Sequence, residues 1–260
     1  MNYELVQVEY EGDYATITMN CPERRNALSQ KHMQELITAF TEVGESEALG
    51  VTLAGAGPVF CAGHDFADVT GRDLAGVRKL LKICTQLMDT IQAIPQPVLA
   101  RVHALATAAG CQLVATCDLA VASEKAAFAT PGGKGGWFCT TPMVAVSRNI
   151  GRKRALEMLL TGEPVNAHTA AEWGLVNRVV AAEQLIEESQ RLLLAATRGS
   201  TLAKAMGKQA YYTQIDLDQP KAYAFALEVM AATSQLPDAQ EGMQAFIEKR
   251  KANFQRSKSK

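Results

Sequence analysis

PVLARVHALATAAGCQLVATCDLAVA, residues 97–122, is the run that decides the fold. Val98 to Val102 is short, apolar and entered from Pro95 and Pro97, the pattern of a buried strand that starts at a turn. Ala106-Thr107-Ala108-Ala109-Gly110 follows as a turn of small residues, Cys111 to Thr116 reads as a helix, and Leu119 to Ala122 as a second apolar strand. Strand, helix and strand in that order predict a parallel, right-handed crossover, and with it an α/β core.

Working outward, Leu5 to Tyr10 and Ala15 to Met19 alternate around Glu11-Gly12-Asp13 and predict a hairpin. Leu28 to Val43 places Leu28, Met33, Leu36, Ile37 and Phe40 at helical spacing, with Ser29 as a cap. Val51 to Ala54 is a strand closed by Gly55-Ala56-Gly57-Pro58. Leu74 to Ile94 repeats the helical spacing through Leu80, Leu81, Cys84, Leu87, Met88 and Ile91, and Pro95 stops it. From about Arg152 the pattern is almost wholly helical, broken at Gly162-Glu163-Pro164, Gly174, Gly199 and Pro220, and no further sheet is expected there. The reading is one α/β core, residues 1–195, with a helical region, residues 196–260, whose polar tail Gln255 to Lys260 is expected to fray.

Bulk properties narrow the function. The 260 residues are 48% hydrophobic, enough for a sizeable core. Lys and Arg number 26 against 27 Asp and Glu, so no global field draws the chain to nucleic acid or an anionic membrane, and neither is expected as a partner. Six cysteines stand singly in apolar surroundings, which reads as reduced, buried thiols. The first residues show no apolar or Arg-rich targeting pattern, and no 18-residue apolar run occurs, so the expected location is cytoplasmic. Nucleophile-elbow, zincin, phosphate-loop and dinucleotide motifs are missing, and His32, His64, His103 and His168 lack metal-ligand spacing, so no metal is expected.

Two segments suit close backbone approach: Phe60-Cys61-Ala62-Gly63-His64-Asp65-Phe66, and Ala106 to Gly110. Amide donors from two separate turns, one backed by a helix N-terminus, can hold a developing oxyanion. Small residues at such turns equally suit tight packing, and spacing alone does not choose.

Longer motifs choose. Pro22-Glu23-Arg24-Arg25-Asn26-Ala27-Leu28-Ser29, the Phe60 to Asp65 run, Ala108-Ala109-Gly110-Cys111-Gln112-Leu113 with Cys117-Asp118, Ala127 to Pro131, Leu160 to Glu163, Ala170 to Val176 and Glu241-Gly242-Met243 together resemble the enoyl-CoA hydratase/isomerase (crotonase) superfamily over essentially the whole chain. The resemblance implies a spiral of ββα units, a helical C-terminal trimerisation region, and homotrimers that often pair into hexamers. It implies an acyl-CoA ligand, with no cofactor beyond the coenzyme A of the substrate, whose thioester carbonyl is held by the amides of His64 and Ala109. By position, Arg24, Arg25, Ala27, Ala62, His64, Asp65 and Phe66 approach coenzyme A, while Phe246 and Lys249, three apart on one helix, close over it from a neighbouring subunit. Alanines at 108 and 109, where the family has glycine, are expected to narrow the acyl pocket.

The departures matter most. Family hydratases use two glutamates, and Gln112 and Gly132 stand at the matching positions. Neither can transfer a proton at neutral pH, so a very poor hydratase is expected, and a non-catalytic acyl-CoA-binding or regulatory protein is the alternative. Restoring glutamate at both positions is expected to raise hydration. Of the substitutes near the loops, the His64 side chain is expected to point away, Cys139 to be an inert buried thiol, Lys134 to be a solvated charge, and Thr140 stays open.

Overall fold

A computed structural model describes residues 3–254; the expected fraying of Gln255 to Lys260 concerns residues outside that range. Strands β1 (Val6–Glu11) and β2 (Tyr14–Met19) form the predicted hairpin, in register from Val6 opposite Met19 to Glu11 opposite Tyr14. Gly12 supplies the positive φ, +58°, that its tight turn requires. Helix α1 (Gln30–Gly44) is capped by the Ser29 hydroxyl, which accepts from the His32 amide at 3.1 Å. Leu28 therefore lies outside the helix, where it bridges to His64 instead.

Strand β3 (Gly50–Gly55) pairs parallel with β2, and α2 (Leu74–Ala93), capped by Asp73, ends as the chain turns extended at Ile94 before Pro95. The decisive run folds as β4 (Val98–Val102), β5 (Ala106–Thr107), α3 (Ala109–Thr116) and β6 (Leu119–Ser123), with β4 and β6 paired parallel. Then come β7 (Ala127–Ala129), α4 (Pro142–Asn149), α5 (Arg152–Thr161), β8 (Val165–Asn166), α6 (Ala167–Trp173), β9 (Arg178–Val180) and α7 (Leu185–Thr197). Helices α8 (Thr201–Gln214), α9 (Gln219–Thr233) and α10 (Pro237–Ile247) complete the described chain. Residues 195 and 196 fall in the last turn of α7.

One sheet has the order β1-β2-β3-β4-β6-β9; a smaller one runs β5-β7-β8. The chain visits both in turn. β4 leads to β5 and then α3, β6 leads to β7 and then α4, and a bridge from Cys61 to Ala106 gives β3 the same short companion before α2. That repeated strand-strand-helix step is the ββα spiral. The expectation of no sheet beyond Arg152 is corrected, because β8 and β9 lie there and β9 forms an edge of the larger sheet. Three residues are too few to show a strand period.

Both faces of the sheet are covered, as parallel strands require. Phe40, Phe60, Phe128, Ile17 and Met19 are fully enclosed in the main core, and Leu99 and Val121 pack against Leu185 and Leu193 of α7 on the other face. Helix α8 is anchored by one buried cation: Lys208 Nζ meets Asp118 Oδ2 at 2.8 Å and donates to the carbonyls of Ile91 and Gln96. The Tyr212 hydroxyl donates to Asp118 Oδ1 at 2.7 Å, and the Val98 amide to Oδ2 at 2.7 Å. By contrast α9 buries no residue fully, and Tyr223, Leu227 and Met230 are exposed along it. Among the described residues, no helix is long and apolar enough to cross a membrane.

Candidate functional site

The site is assembled around a buried asparagine. Asn26 adopts φ +52°, which asparagine tolerates better than most residues, and its Oδ1 accepts from the Cys21 amide at 2.9 Å. Its Nδ2 donates to the carbonyls of Ala56, Val59 and Phe60, which ties the loop before α1 to the loop after β3. Leu28 then pairs with the next segment: its amide donates to Gly63 and its carbonyl accepts from Asp65. On the other side, the Thr107 amide donates to the Cys61 carbonyl at 2.9 Å. Residues 61–65 are thus held between two strands of backbone.

That placement packs the Gly63 and Ala108–Gly110 segments closely together. A Cβ on Gly63, whose φ is +85°, would stand 2.8 Å from Ala108 Cβ and 3.1 Å from the Ala109 nitrogen, and one on Gly110 would stand 2.3 Å from the Cys61 carbonyl oxygen. Only glycine fits at either position. Ala108, at φ +53° and ψ −118°, holds a conformation that costs a non-glycine residue roughly 1–3 kcal/mol, and its amide donates to the Ala129 carbonyl at 2.8 Å. Among the described residues, neither the His64 nor the Ala109 amide has an acceptor. Ala109 opens α3, so its N–H is one of the helix's unused donors at the positive end of the dipole.

His64 and Ala109 both line a cavity of about 60 Å³, walled also by Leu81, Ala108, Trp137 and Phe138. The expectation that the His64 side chain points away is corrected, because its ring lines this cavity, 6.0 Å from the Trp137 ring. Both ring nitrogens are buried without a partner. Burial holds the imidazole below its ordinary pKa, and the Leu28 backbone opposes that push. Cys139 also faces the cavity, and burial pushes its thiol up while the Gly132 backbone opposes. Thr140 sits at the exposed rim. Lys134 turns outward to pair with Glu163 at 2.5 Å.

Gln112 and Gly132, the positions where the resemblance led to an expectation of glutamates, differ in their surroundings. Gln112, in α3, is buried, stands outside the cavity wall, and has its Oε1 4.0 Å from the Cys84 thiol. Gly132 does line the cavity, inside a tight turn whose carbonyl accepts from the Gly135 and Trp137 amides. A Cβ there would meet the Trp137 carbonyl oxygen at 2.1 Å and the Cys139 sulfur at 2.8 Å. The expectation that a glutamate pair could simply be put back is therefore corrected: the loop has closed over the second position.

Of the expected coenzyme A contacts, Arg24 pairs with buried Asp65 at 2.5 Å, and Asp65 also caps the Ala67 amide. Arg25 is exposed, and its carbonyl accepts from the Ala62 amide. The Ala27 carbonyl accepts from the His32 ring. Ala62 and Phe66 line the cavity, with Phe66 67% exposed at its mouth. Phe246 is 85% exposed on α10, and Lys249 lies beyond that helix at φ +54°, so the two do not share a helical face, and neither reaches the cavity of its own chain. Among the described residues, no group of three or more His, Cys, Asp or Glu is placed to hold a metal ion. Trp137, Phe138 and Leu81 went unread as cavity walls, since a tryptophan in a glycine-rich run carries no period.

Residues 9–257 match the enoyl-CoA hydratase/isomerase family. The chain is 44% identical over 251 residues to mouse (Mus musculus) enoyl-CoA hydratase domain-containing protein 3, mitochondrial, covering 95% of this chain and 83% of that protein. A crystal structure of an enoyl-CoA hydratase from Mycobacterium smegmatis superposes with a TM-score of 0.93 at 45% identity, covering 96% and 98% of the two chains. Human enoyl-CoA hydratase domain-containing protein 3 superposes at 0.92 with 38% identity, covering 96% and 100%. The cytoplasmic expectation is overturned here, since the mouse and human relatives are named mitochondrial. It rested on terminal composition and on the cysteines, and six free, buried thiols among the described residues do not identify a compartment.

Proposed function

The chain belongs to the enoyl-CoA hydratase/isomerase family, and from that premise we propose that it binds the thioester of an acyl-CoA and holds its carbonyl oxygen between the amides of His64 and Ala109, without the machinery to hydrate it. One observation carries this reading: two residues that line one cavity have backbone donors without acceptors, in segments packed so closely that Gly63 and Gly110 admit no side chain. Donors fixed before the ligand arrives stabilise an oxyanion without reorganising, and removing one typically costs on the order of 10²–10³ in rate.

Hydration needs more than that hole. It needs a group to deprotonate water and one to protonate the neighbouring carbon, each worth roughly 10²–10⁴-fold. Gln112 and Gly132 supply neither, which favours weak or altered catalysis, and equally supports a second reading as an acyl-CoA-binding protein with no turnover. By the resemblance, Arg24, Arg25 and the Ala27 backbone would meet the phosphates and adenine of coenzyme A, for which guanidinium forks are suited. Phe246 and Lys249, remote from their own cavity, suit a site completed by a neighbouring copy in a trimer or hexamer, and the apolar face of α9 supports such contacts. The mouse and human relatives point to a mitochondrial location.

Calorimetric titration with acetyl-CoA, butyryl-CoA and free coenzyme A tests the reading. Saturable binding with a thioester-dependent gain over coenzyme A is expected. Absence of binding by any of the three would overturn it.

A further inference from the structure

We propose that Trp137 sets the acyl length of this site: its indole closes the cavity, so that the ligand is a short acyl-CoA, on the order of two to four carbons, and longer chains are excluded. This rests on the acyl-CoA reading above and adds to it a size limit and the residue that imposes it.

Room in the cavity is scarce. About 60 Å³ compares with roughly 300–1,000 Å³ in an ordinary small-molecule site. Part of the wall is main chain that cannot give way: Ala62, Ala108 and Ala109 belong to segments that meet so closely at Gly63 and Gly110 that no side chain fits between them. What remains to set the size is side chains, and Trp137 is the largest of those on the wall.

The position of the indole suits that role. Its ring stands 6.0 Å from the His64 ring and 6.4 Å from the Phe66 ring, tilted by 39° and 58°. His64 has both ring nitrogens sealed, whereas Phe66 is 67% exposed, so the 37% exposed indole lies where enclosed space gives way to solvent. Neither Trp137 nor Phe66 belongs to the two apolar cores, and the packing of the fold does not account for the pair. Aromatic rings gathered at one small cavity are what an apolar ligand group meets.

The turn presents the ring without depending on it. The Trp137 amide donates to the Gly132 carbonyl at 2.9 Å, and the Trp137 carbonyl oxygen is the atom that crowds Gly132. Both are main-chain features, which any residue at position 137 retains. A smaller side chain there should enlarge the cavity and leave the turn in place. Each methylene that the enlarged cavity then buries raises affinity about fourfold, the ~0.8 kcal/mol of a buried methylene converted at about 1.4 kcal/mol per tenfold.

The test is the dependence of affinity on chain length, measured by calorimetry with acetyl-, butyryl-, hexanoyl- and octanoyl-CoA on the full-length protein and on Trp137→Ala. In wild type, affinity should rise up to butyryl-CoA and then stop, with octanoyl-CoA binding no tighter. In Trp137→Ala the rise should continue, so that the octanoyl-to-butyryl affinity ratio exceeds the wild-type ratio by at least about tenfold. A second arm keeps the indole. Trp137 and Trp173 are the two tryptophans of the chain, and Trp173 lies under Arg154 and outside the cavity wall. Trp173→Phe therefore leaves Trp137 as the sole indole fluorophore, and butyryl-CoA should shift its emission more than free coenzyme A does. Wild-type affinity that climbs on through octanoyl-CoA, an unchanged ratio in folded Trp137→Ala, or emission indifferent to the acyl group overturns the role of Trp137 and leaves the binding reading standing. Absence of binding by every acyl-CoA overturns both.

Discussion

Gly132 faces the carbonyl oxygen of Trp137 so closely that a Cβ on the glycine would stand 2.1 Å from it. The turn that creates this contact is fastened by the Gly132 carbonyl, which accepts from the amides of Gly135 and Trp137. A side chain there must break the turn. Gly132→Ala is expected to cost about 1–3 kcal/mol, visible as a melting temperature lower by roughly 3–10 °C. The double variant Gln112→Glu, Gly132→Glu should stay at background in a hydration assay; strong hydration by it would mean that the loop opens readily.

Lys208 and Asp118 make a second, purely structural prediction. The ammonium is 8% exposed and bonded to a carboxylate and two carbonyls, with desolvation lowering its pKa and Asp118 opposing. Lys208→Met leaves the carboxylate its Tyr212 and Val98 donors but strands two carbonyls, so a loss of about 3 kcal/mol in urea unfolding is expected. A change under about 0.5 kcal/mol would show that α8 is held elsewhere.

Buried histidines give a pH dependence whose sign can be worked out. Burial lowers the pKa of both His32 and His64, so between the native values and about 6.5 the unfolded chain binds more protons than the folded one. Stability is therefore full above about pH 7, declines as pH falls through 6.5, and levels once the native rings also protonate. Glu35 and Glu23 oppose the shift at His32; Cys139 and the Arg24–Asp65 pair are the groups near His64. Thermal melts from pH 7.5 to 5.5 should fall, and His64→Gln should reduce the slope. A flat or rising profile would contradict the buried, neutral rings.

Helix α9 shows Tyr223, Leu227 and Met230 to solvent in the single chain and has no fully buried residue of its own. A contiguous apolar face of that kind needs a partner. Light scattering should report trimers or hexamers, and Leu227→Glu with Met230→Glu should yield smaller species. A wild-type monomer would remove the shared-site proposal for Phe246 and Lys249.

Much of this was legible in the sequence, for physical reasons that also mark the limits. The hairpin, α1, α2 and the β4–α3–β6 crossover carry apolar periods long enough to read, and Ser29, Asp73 and Pro95 punctuate them. β9 and β8 have three and two residues, too few for any period. Leu28 kept helical spacing yet serves as a bridge partner of His64, because tertiary pairing overrode local pattern. At the site, the motifs located His64 and Ala109, but the direction of the imidazole, the tightness around Gly132 and the hub at Asn26 depend on segments that meet only after folding. The Lys208–Asp118 pair, ninety residues apart in sequence, is legible only in space.

The most direct test of the central claim is to add a short conjugated enoyl-CoA to protein already shown by calorimetry to be saturated with it, and to follow the conjugated thioester absorbance. The account predicts a bound ligand whose absorbance persists, because the proposed function assigns this site oxyanion donors without a hydrating pair. Rapid loss of that absorbance, with the 3-hydroxyacyl product recovered, would contradict it.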